Sequence, residues 1–449
     1  MREIEQQYIS IYQEHLNLLT ASACNVLNEQ RLSAFEQFKE QGFPVFGSED
    51  YQHTDVASSF ALDWGMNLNR FDFKVNPYEV FSCDVPNLST SLYFMVNDKF
   101  YQDQQPTDKL PDGVFIGSLN RFASTYPTVA EKYYNKAIST NKDGVAIFNT
   151  MMAQDGFVLY VPDGVVVERT IQLVNILRSN IDLLMNRRLL IIIGKGAEAK
   201  MLVCDHTMDA QIKFLSTQVV EIFAEDNARF DLYELEETSM ETTRFASVHV
   251  EQAASSNVLV NGITLTNGLS RNNYYFNLKG EGAEATLCGM SISDKQQKLD
   301  TYSHITHAAP HCTSRELFKY VLNDQAVGVF SGRILVQPGA QKTVAYQNNR
   351  NLCATREARM YSKPQLEIYA DDVKCSHGMT TGQLDESALF YMRSRGISAE
   401  DARMLLMVAF TSDVIDFVRV DALKDRLHKL VEKRFRGELS KCEGCAICK

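Results

Sequence analysis

The amino-acid sequence predicts a mainly β chain with α-helical regions at both ends, and three observations carry that prediction. From Asp143 onward, strand-like runs follow one another with only short polar or glycine turns between them. A faint internal repeat, GAEAK from Gly196, GAEAT from Gly282 and GAQKT from Gly339, falls at such turns. Its separations of 86 and 57 residues are close to whole multiples of about 28, a period typical of stacked solenoid units. Helical spacing appears in the first forty residues and again after Asp385. Periodicity alone does not separate parallel from antiparallel pairing, so a β-sandwich or barrel stays open beside a stacked β-helix at this point.

In chain order, Tyr8, Ile11, Tyr12, His15 and Leu19 share a helical face, and residues 31–40 are good helix formers. The Gly42-Phe43-Pro44 break ends that unit. Residues 47–141 mix aromatic clusters with Pro and Asp turns and give no pairing. Strands are then expected at 145–148, 157–161, 188–193, 200–204, 218–223, 230–235, 245–250, 258–265 and 274–278. Asp385 can cap a helix running through Leu389, Phe390 and Met392 to Gly396, a residue type favoured just past a helix end. Ser398 to Asp401 is a capping-box-like start to a helix with Ala402, Leu405, Leu406, Ala409 and Phe410 on one broad face. A last helix sets Leu423, Leu427, Leu430 and Val431 against Lys and Arg. The organisation expected is a helical and mixed region over 1–142, a β core over 143–383, a helical domain over 384–436 and a cysteine-rich tail over 437–449.

Composition narrows the class of function. A chain of 449 residues with 45% hydrophobic residues has ample material for a large core, and its net charge of -11 argues against a nucleic-acid surface. The opening MREIEQQY has no apolar signal region, and the longest strongly apolar run, 189–193, is too short to span a bilayer, so a cytoplasmic chain without a membrane role is expected. Cysteines are scattered at Cys24, Cys83, Cys204, Cys288, Cys312, Cys353 and Cys375, a pattern of reduced thiols rather than a disulfide framework. No phosphate loop, nucleophile elbow or zinc-protease helix occurs, and no catalytic residue is legible.

Two constellations carry candidate chemistry. In KPQLEIYADDVKCSHG, from Lys363 to Gly378, the alternation of Leu366 to Ala370 is a half-buried strand that the Asp371-Asp372 pair must turn or bring to the surface. Cys375 and His377 then stand at i and i+2, on one face of an extended segment, with Gly378 permitting close approach. Thiolate and imidazole suit zinc, copper or iron-sulfur clusters, although a strand cysteine is more often a small hydrophobe and a lone histidine more often hydrogen-bonded. The second is the tail, where Cys442, Cys445 and Cys448 form a Cys-x2-Cys-x2-Cys run that can wrap a metal only with a fourth ligand from elsewhere. His304, His307, His311 and Cys312 mimic a cluster, but Pro310 argues against the helix that would bring His307 and His311 together, and structural roles are expected. Cys204-Asp205-His206 is similarly weak.

Four segments resemble one family. ADDVKCSHG (Ala370 to Gly378), GQLDESALFYMRSRGI (Gly382 to Ile397), GVFSGRILVQPGAQKTVAYQNNRNL (Gly328 to Leu352) and HITHAAPHCTSRELFKYVLND (His304 to Asp324) are similar to the SufD subunits of the SufB-SufC-SufD scaffold for iron-sulfur cluster assembly. The likeness covers much of the chain from about His304 onward. The paralogous SufB has a longer chain with its own cysteine motifs, which are not seen here. The resemblance implies a right-handed parallel β-helix core and a non-catalytic scaffold that pairs with SufB and with the SufC ATPase, which would dock on the C-terminal helical domain around 397–418. It also implies a nascent iron-sulfur cluster shared transiently with SufB at the junction, with none held permanently by this chain. His377 matches the family's histidine in CSHG and is the expected iron ligand, with Cys375 the weaker candidate. Asp371 and Asp372 would steer iron or orient the histidine, or merely end the strand. The Cys442, Cys445 and Cys448 tail departs from the family pattern. Whether the chain forms a homodimer without SufB stays open. Two other classes compete: a secreted β-helix enzyme acting on an acidic polysaccharide through Asp371 and Asp372, and a stand-alone metal-binding protein using the tail.

Overall fold

The computed structural model describes residues 2–438 apart from 74, 82–89, 105, 107–108 and 139–142. Cys442, Cys445 and Cys448 therefore lie outside the described residues. Among those described, successive strands alternate between two ten-stranded sheets and pair in parallel with the strand one coil away, giving a parallel β-solenoid of about eight turns. The sandwich and barrel alternatives fall, because strand neighbours in each sheet are second neighbours in sequence.

The stacking is held in register by the backbone. Glu198, Arg229, Asn257, Glu284, Thr313, Val344 and Lys374 open successive strands of one sheet and stand in a single column. Two residues before each of the first six, Gly196, Asn227, Ser255, Gly282, His311 and Lys342 take positive φ values between 55° and 71°. This left-handed corner is the physical origin of the faint sequence repeat. Glycine fills it without strain in two coils, and Asn, Ser, His and Lys fill it elsewhere. The third repeat segment is out of step, since its corner residue is Lys342 and not Gly339.

Alternation sorts side chains between an interior and two outer layers. On Arg229–Glu237, Phe230 and Leu232 join the solenoid interior, whereas Tyr233 and Leu235 face the C-terminal helices. Both faces being covered, a strand such as Leu183–Ile193 is buried along its whole length, apolar but for Asn186, Arg187 and Arg188, whose polar groups are paired inside. Each fully buried Leu, Ile or Val contributes roughly 1.5–3 kcal/mol.

The N-terminal helices Glu3–Glu14, Leu16–Ala21 and Asn25–Gln41 cover the outer face of one sheet through Tyr8, Tyr12, Phe35 and Phe38, which pack with Phe148, Leu184, Leu215 and Phe245. Gly42 at φ 64° ends that unit, as the sequence predicts. The expected strand at 145–148 is instead part of the helix Gly144–Met152, with Asp143 accepting from Val145 N and Ala146 N at its start. Every residue of that helix is buried, so it has no polar face to reveal a helical period. Two strands that the sequence left unassigned, Thr90–Val96 and Thr170–Leu177, pair with each other in the first coils.

On the second sheet, Val414, Ile415, Val418, Leu423, Leu427, Leu430 and Val431 of the C-terminal helices pack on Leu202, Tyr233, Leu259, Ile263 and Met290. Arg434 locks the last helix by donating to Leu265 O at 2.6 Å and pairing with Asp294 at 2.7 Å. Asp385, Gly396 and Ser398 cap as expected. The face predicted for Ala399–Asp416 is corrected: Ala402 is buried, but Leu405 and Ala409 are exposed, and Met404, Thr411, Val414 and Ile415 do the packing. No helix among the described residues is long and apolar enough to cross a membrane.

Candidate functional site

The stretch singled out in the sequence forms the last coil. Arg359–Ile368 is the terminal strand of one sheet and Lys374–Gly382 that of the other, so among the described residues each has a neighbour on one side only. Pro364, which lacks an N–H, is tolerated on such an edge. Apolar side chains are exposed here on both faces, Tyr361 and Tyr369 outward and Ile368 and Met379 at the uncovered inner face. A loop from the N-terminal region braces this coil: His53 stacks on Tyr361 with ring centroids 4.1 Å apart, and Glu49 pairs with Lys363 at 2.9 Å.

Asp371 and Asp372 occupy the corner between the two strands and are exposed. Asp372 forms an ion pair with Lys342, and its N–H donates to Gln341 Oε1 at 2.9 Å. The pair thus ends the strand and ties the corner to the coil below.

Register shows where Cys375 and His377 point. Cys375 pairs with Ala345 and packs against the solenoid interior, half-buried, and burial pushes its thiol up. His377, two residues on, shares that face and caps an inward column that runs Met201, Leu232, Val260, Leu287, Glu316, Gln347, His377. The first four members are fully buried and apolar, and the last three are polar. Glu316 is buried, which raises its carboxyl to about 7; it accepts from Ser303 Oγ and, at 2.7 Å, from Gln347 Nε2. His377 is exposed because no further coil covers it. The candidate site is therefore the open end of the solenoid, where an imidazole and a thiol look out from its interior and the backbone edges of two strands have no partner among the described residues. The expected pairing of Cys375 and His377 on one face is what the strand supplies. Glu316 and Gln347 were missed, and their only signal was polarity at inward-facing positions, which needs the register to be seen.

The other histidines and cysteines are not brought together. His307 is buried, lies 2.8 Å from Ser314 Oγ, and is lowered by burial to about 4. His304 is likewise lowered, first by burial and then by Arg333. His311 is exposed at its left-handed corner, and Cys312 is buried in the interior. Cys204 faces the C-terminal helices whereas Asp205 faces inward, where Arg187 and Arg244 outweigh burial and hold its carboxyl below the usual value. Asp205, Arg187 and Arg244 belong to a buried charge layer with Glu234 and Glu236. Among the described residues no group of three or more His, Cys, Asp and Glu is placed to hold a metal ion.

Comparisons with known proteins agree on one family. The family model described as "SUF system FeS cluster assembly, SufBD core domain" matches residues 176–410, and that described as "SufBD protein N-terminal region" matches residues 2–173. The chain is 27% identical to an iron-sulfur cluster assembly SufBD family protein of Synechocystis sp., over 93% of both chains. It is 36% identical to the iron-sulfur cluster assembly protein SufD of Escherichia coli, over 41% of this chain and 43% of that one. It is 24% identical to SufD of Bacillus subtilis, over 79% of this chain and 81% of that one.

Proposed function

The chain belongs to the SufBD family of iron-sulfur cluster assembly proteins, and on that premise we propose that it is a SufD-type scaffold subunit that joins SufB and the SufC ATPase. The observation that carries this reading is the open last coil: two unpaired strand edges, with His377 and Cys375 looking out from the interior. A second solenoid that presents its own free edge can extend both sheets by main-chain hydrogen bonds. The partner's interior then faces His377 across the junction.

The cluster is cargo there. A neutral imidazole offers one nitrogen to iron, and a cysteine from the SufB side supplies sulfur. Cys375 contributes less, because its half-buried thiol must lose a proton that burial favours keeping. The chain itself catalyses no step; the energy for opening the junction comes from SufC. SufC docks on the helices around 397–418, a placement supported by Phe390, Tyr391 and Leu405, which are 75%, 58% and 42% exposed beside it. The complex is cytoplasmic, where the described free cysteines stay reduced.

The test is to co-purify the chain with SufB and SufC and reconstitute clusters anaerobically with wild type and His377→Ala. The reading predicts an intact complex and loss of cluster assembly in the variant. An intact complex with undiminished assembly removes His377 from the site, and failure to form any complex removes the scaffold role.

A further inference from the structure

Below His377 lies a fully buried amide whose hydrogen bonding is half complete. Gln347 Nε2 donates to Glu316 Oε2 at 2.7 Å, while Gln347 Oε1 is buried and has no hydrogen-bond partner. The two arms are assigned by the coil beneath: Glu316 uses its other oxygen, Oε1, to accept from Ser303 Oγ, so once the acid is ionised, as at pH 8, its Oε2 is an acceptor that the amide nitrogen satisfies. Room for the amide is made by the opposite sheet, where a Cβ on Gly332 would stand 2.4 Å from Gln347 Nε2 and 2.9 Å from Gln347 Cδ. A side chain at position 332 therefore cannot be accommodated without displacing the Gln347 amide.

The register leaves one neighbour on the far side. Gln347 pairs with Glu316 in the coil below and with His377 in the coil above. Parallel neighbours in a ladder are about 4.8 Å apart, within reach of a ring N–H to an amide oxygen. Buried carbonyl groups without a partner are rare because they forfeit their hydration, so an acceptor facing an exposed imidazole is a strong local preference.

We propose that Gln347 is a positioning residue for His377: Gln347 Oε1 accepts a hydrogen bond from one ring N–H of His377, which holds the imidazole in one tautomer with its other nitrogen facing out of the open end. Ser303, Glu316 and Gln347 then form a ladder whose last rung is the ligand. The outward role of that free nitrogen rests on the proposed scaffold function, but the tautomer itself does not. Metal-bound histidines are commonly oriented by such an outer hydrogen bond on the second nitrogen.

The experiment uses the full chain labelled with 15N in its histidine rings, observed at pH 8 without metal, with the His377 signals assigned by their loss in His377→Ala. Nine histidines make the spectrum tractable. The proposal predicts that wild-type His377 shows one protonated and one unprotonated nitrogen with well-separated shifts. Gln347→Met, which keeps the volume and removes the acceptor, should bring the two shifts toward each other as the tautomers exchange, whereas Gln347→Glu, which keeps an acceptor oxygen, should restore the separation. Averaged nitrogens in the wild type overturn the proposal whether or not any variant folds, and separated nitrogens that persist in Gln347→Met overturn it too. If averaged nitrogens occur while His377→Ala abolishes cluster assembly, the ligand role stands and the positioning role falls. Separated nitrogens that depend on Gln347, in a chain whose His377→Ala variant assembles clusters normally, give the reverse.

Discussion

The two ends of the solenoid are finished in opposite ways. At the N-terminal end, Lys99–Phe100 pairs antiparallel with Thr90–Val96, and Phe115–Ser118 pairs antiparallel with Phe157–Val161, so the first strands of both sheets are covered by reversed chain. Helices pack over the same end through Leu119, Phe122, Ala130 and Tyr133. At the C-terminal end, Arg359–Ile368 and Lys374–Gly382 have no outer neighbour among the described residues. Repeat proteins need polar or covered terminal units to stay soluble, and an open edge is a liability unless a partner uses it. The contrast is what supports the proposed site: the same inward column that is apolar and sealed at Leu287 becomes polar at Glu316 and Gln347 and ends on an exposed His377.

If that contrast is right, substitutions should grow cheaper toward the open end. The largest effect is expected in the sealed middle, at the buried charge layer. Arg244 pairs with Asp205 at 3.1 Å and with Glu234 at 3.4 Å, while burial, only partly offset by Arg244, raises the carboxyls of Glu234 and Glu236. Arg244→Met leaves Glu234 and Glu236 without their cation and should destabilise by about 3–5 kcal/mol in denaturant unfolding. A loss below about 1 kcal/mol would show the layer to be self-compensating.

Next comes Leu287→Ala, three coils below the end on the His377 column, with an expected cost of about 2–5 kcal/mol from lost transfer energy and the cavity left behind. Equal costs for Leu287→Ala and His377→Ala would break the comparison outright.

Glu316 should show itself through pH. Its folded carboxyl titrates at about 7 and its unfolded one near 4.5, so the native state binds the extra proton between those values and loses stability as pH rises through that window. Buried His307, at about 4 when folded against 6.5 unfolded, acts with the opposite sign and stabilises as pH rises from 4 to 6.5. The wild-type profile mixes the two, but the difference between Glu316→Gln and wild type isolates the acid. That difference should move in favour of the variant by up to about 3 kcal/mol between pH 5 and pH 8, and a flat difference would mean Glu316 ionises normally.

The smallest effect on stability is expected at the site itself. His377→Ala should change stability by less than about 1 kcal/mol, since the side chain is exposed, packs under no further coil, and leaves the Gln347 oxygen open to water when removed. Measured in the same unfolding series, a cost above about 2 kcal/mol would make His377 a structural residue.

How much of this was legible depended on whether a signal was local. Alternation within a strand is local, and it placed the strands from 157–161 to 274–278 apart from Thr170–Leu177, and put Cys375 and His377 on one face. Cap residues are local, and Asp385, Gly396 and Ser398 were read correctly. The helix Gly144–Met152 was misread because burial on every side removes helical periodicity. The coil repeat was faint because its left-handed corner accepts Asn227, Ser255, His311 and Lys342 as well as glycine, at a modest backbone cost. His311 looked like part of a ligand cluster for the same reason, since its position is set by a turn. Gln347 was hidden because its meaning lies in residues 31 positions before it and 30 after it, at Glu316 and His377. Only register brings the three into one column.

The most direct test of the open end as the working surface is amide hydrogen exchange of the chain alone and in complex with SufB. The account predicts that amides of Arg359–Ile368 and Lys374–Gly382 that point away from their single neighbour exchange rapidly in the isolated chain and become strongly protected in the complex, with little change at Thr90–Val96. Protection elsewhere on the chain, with the last coil exchanging as before, would contradict it.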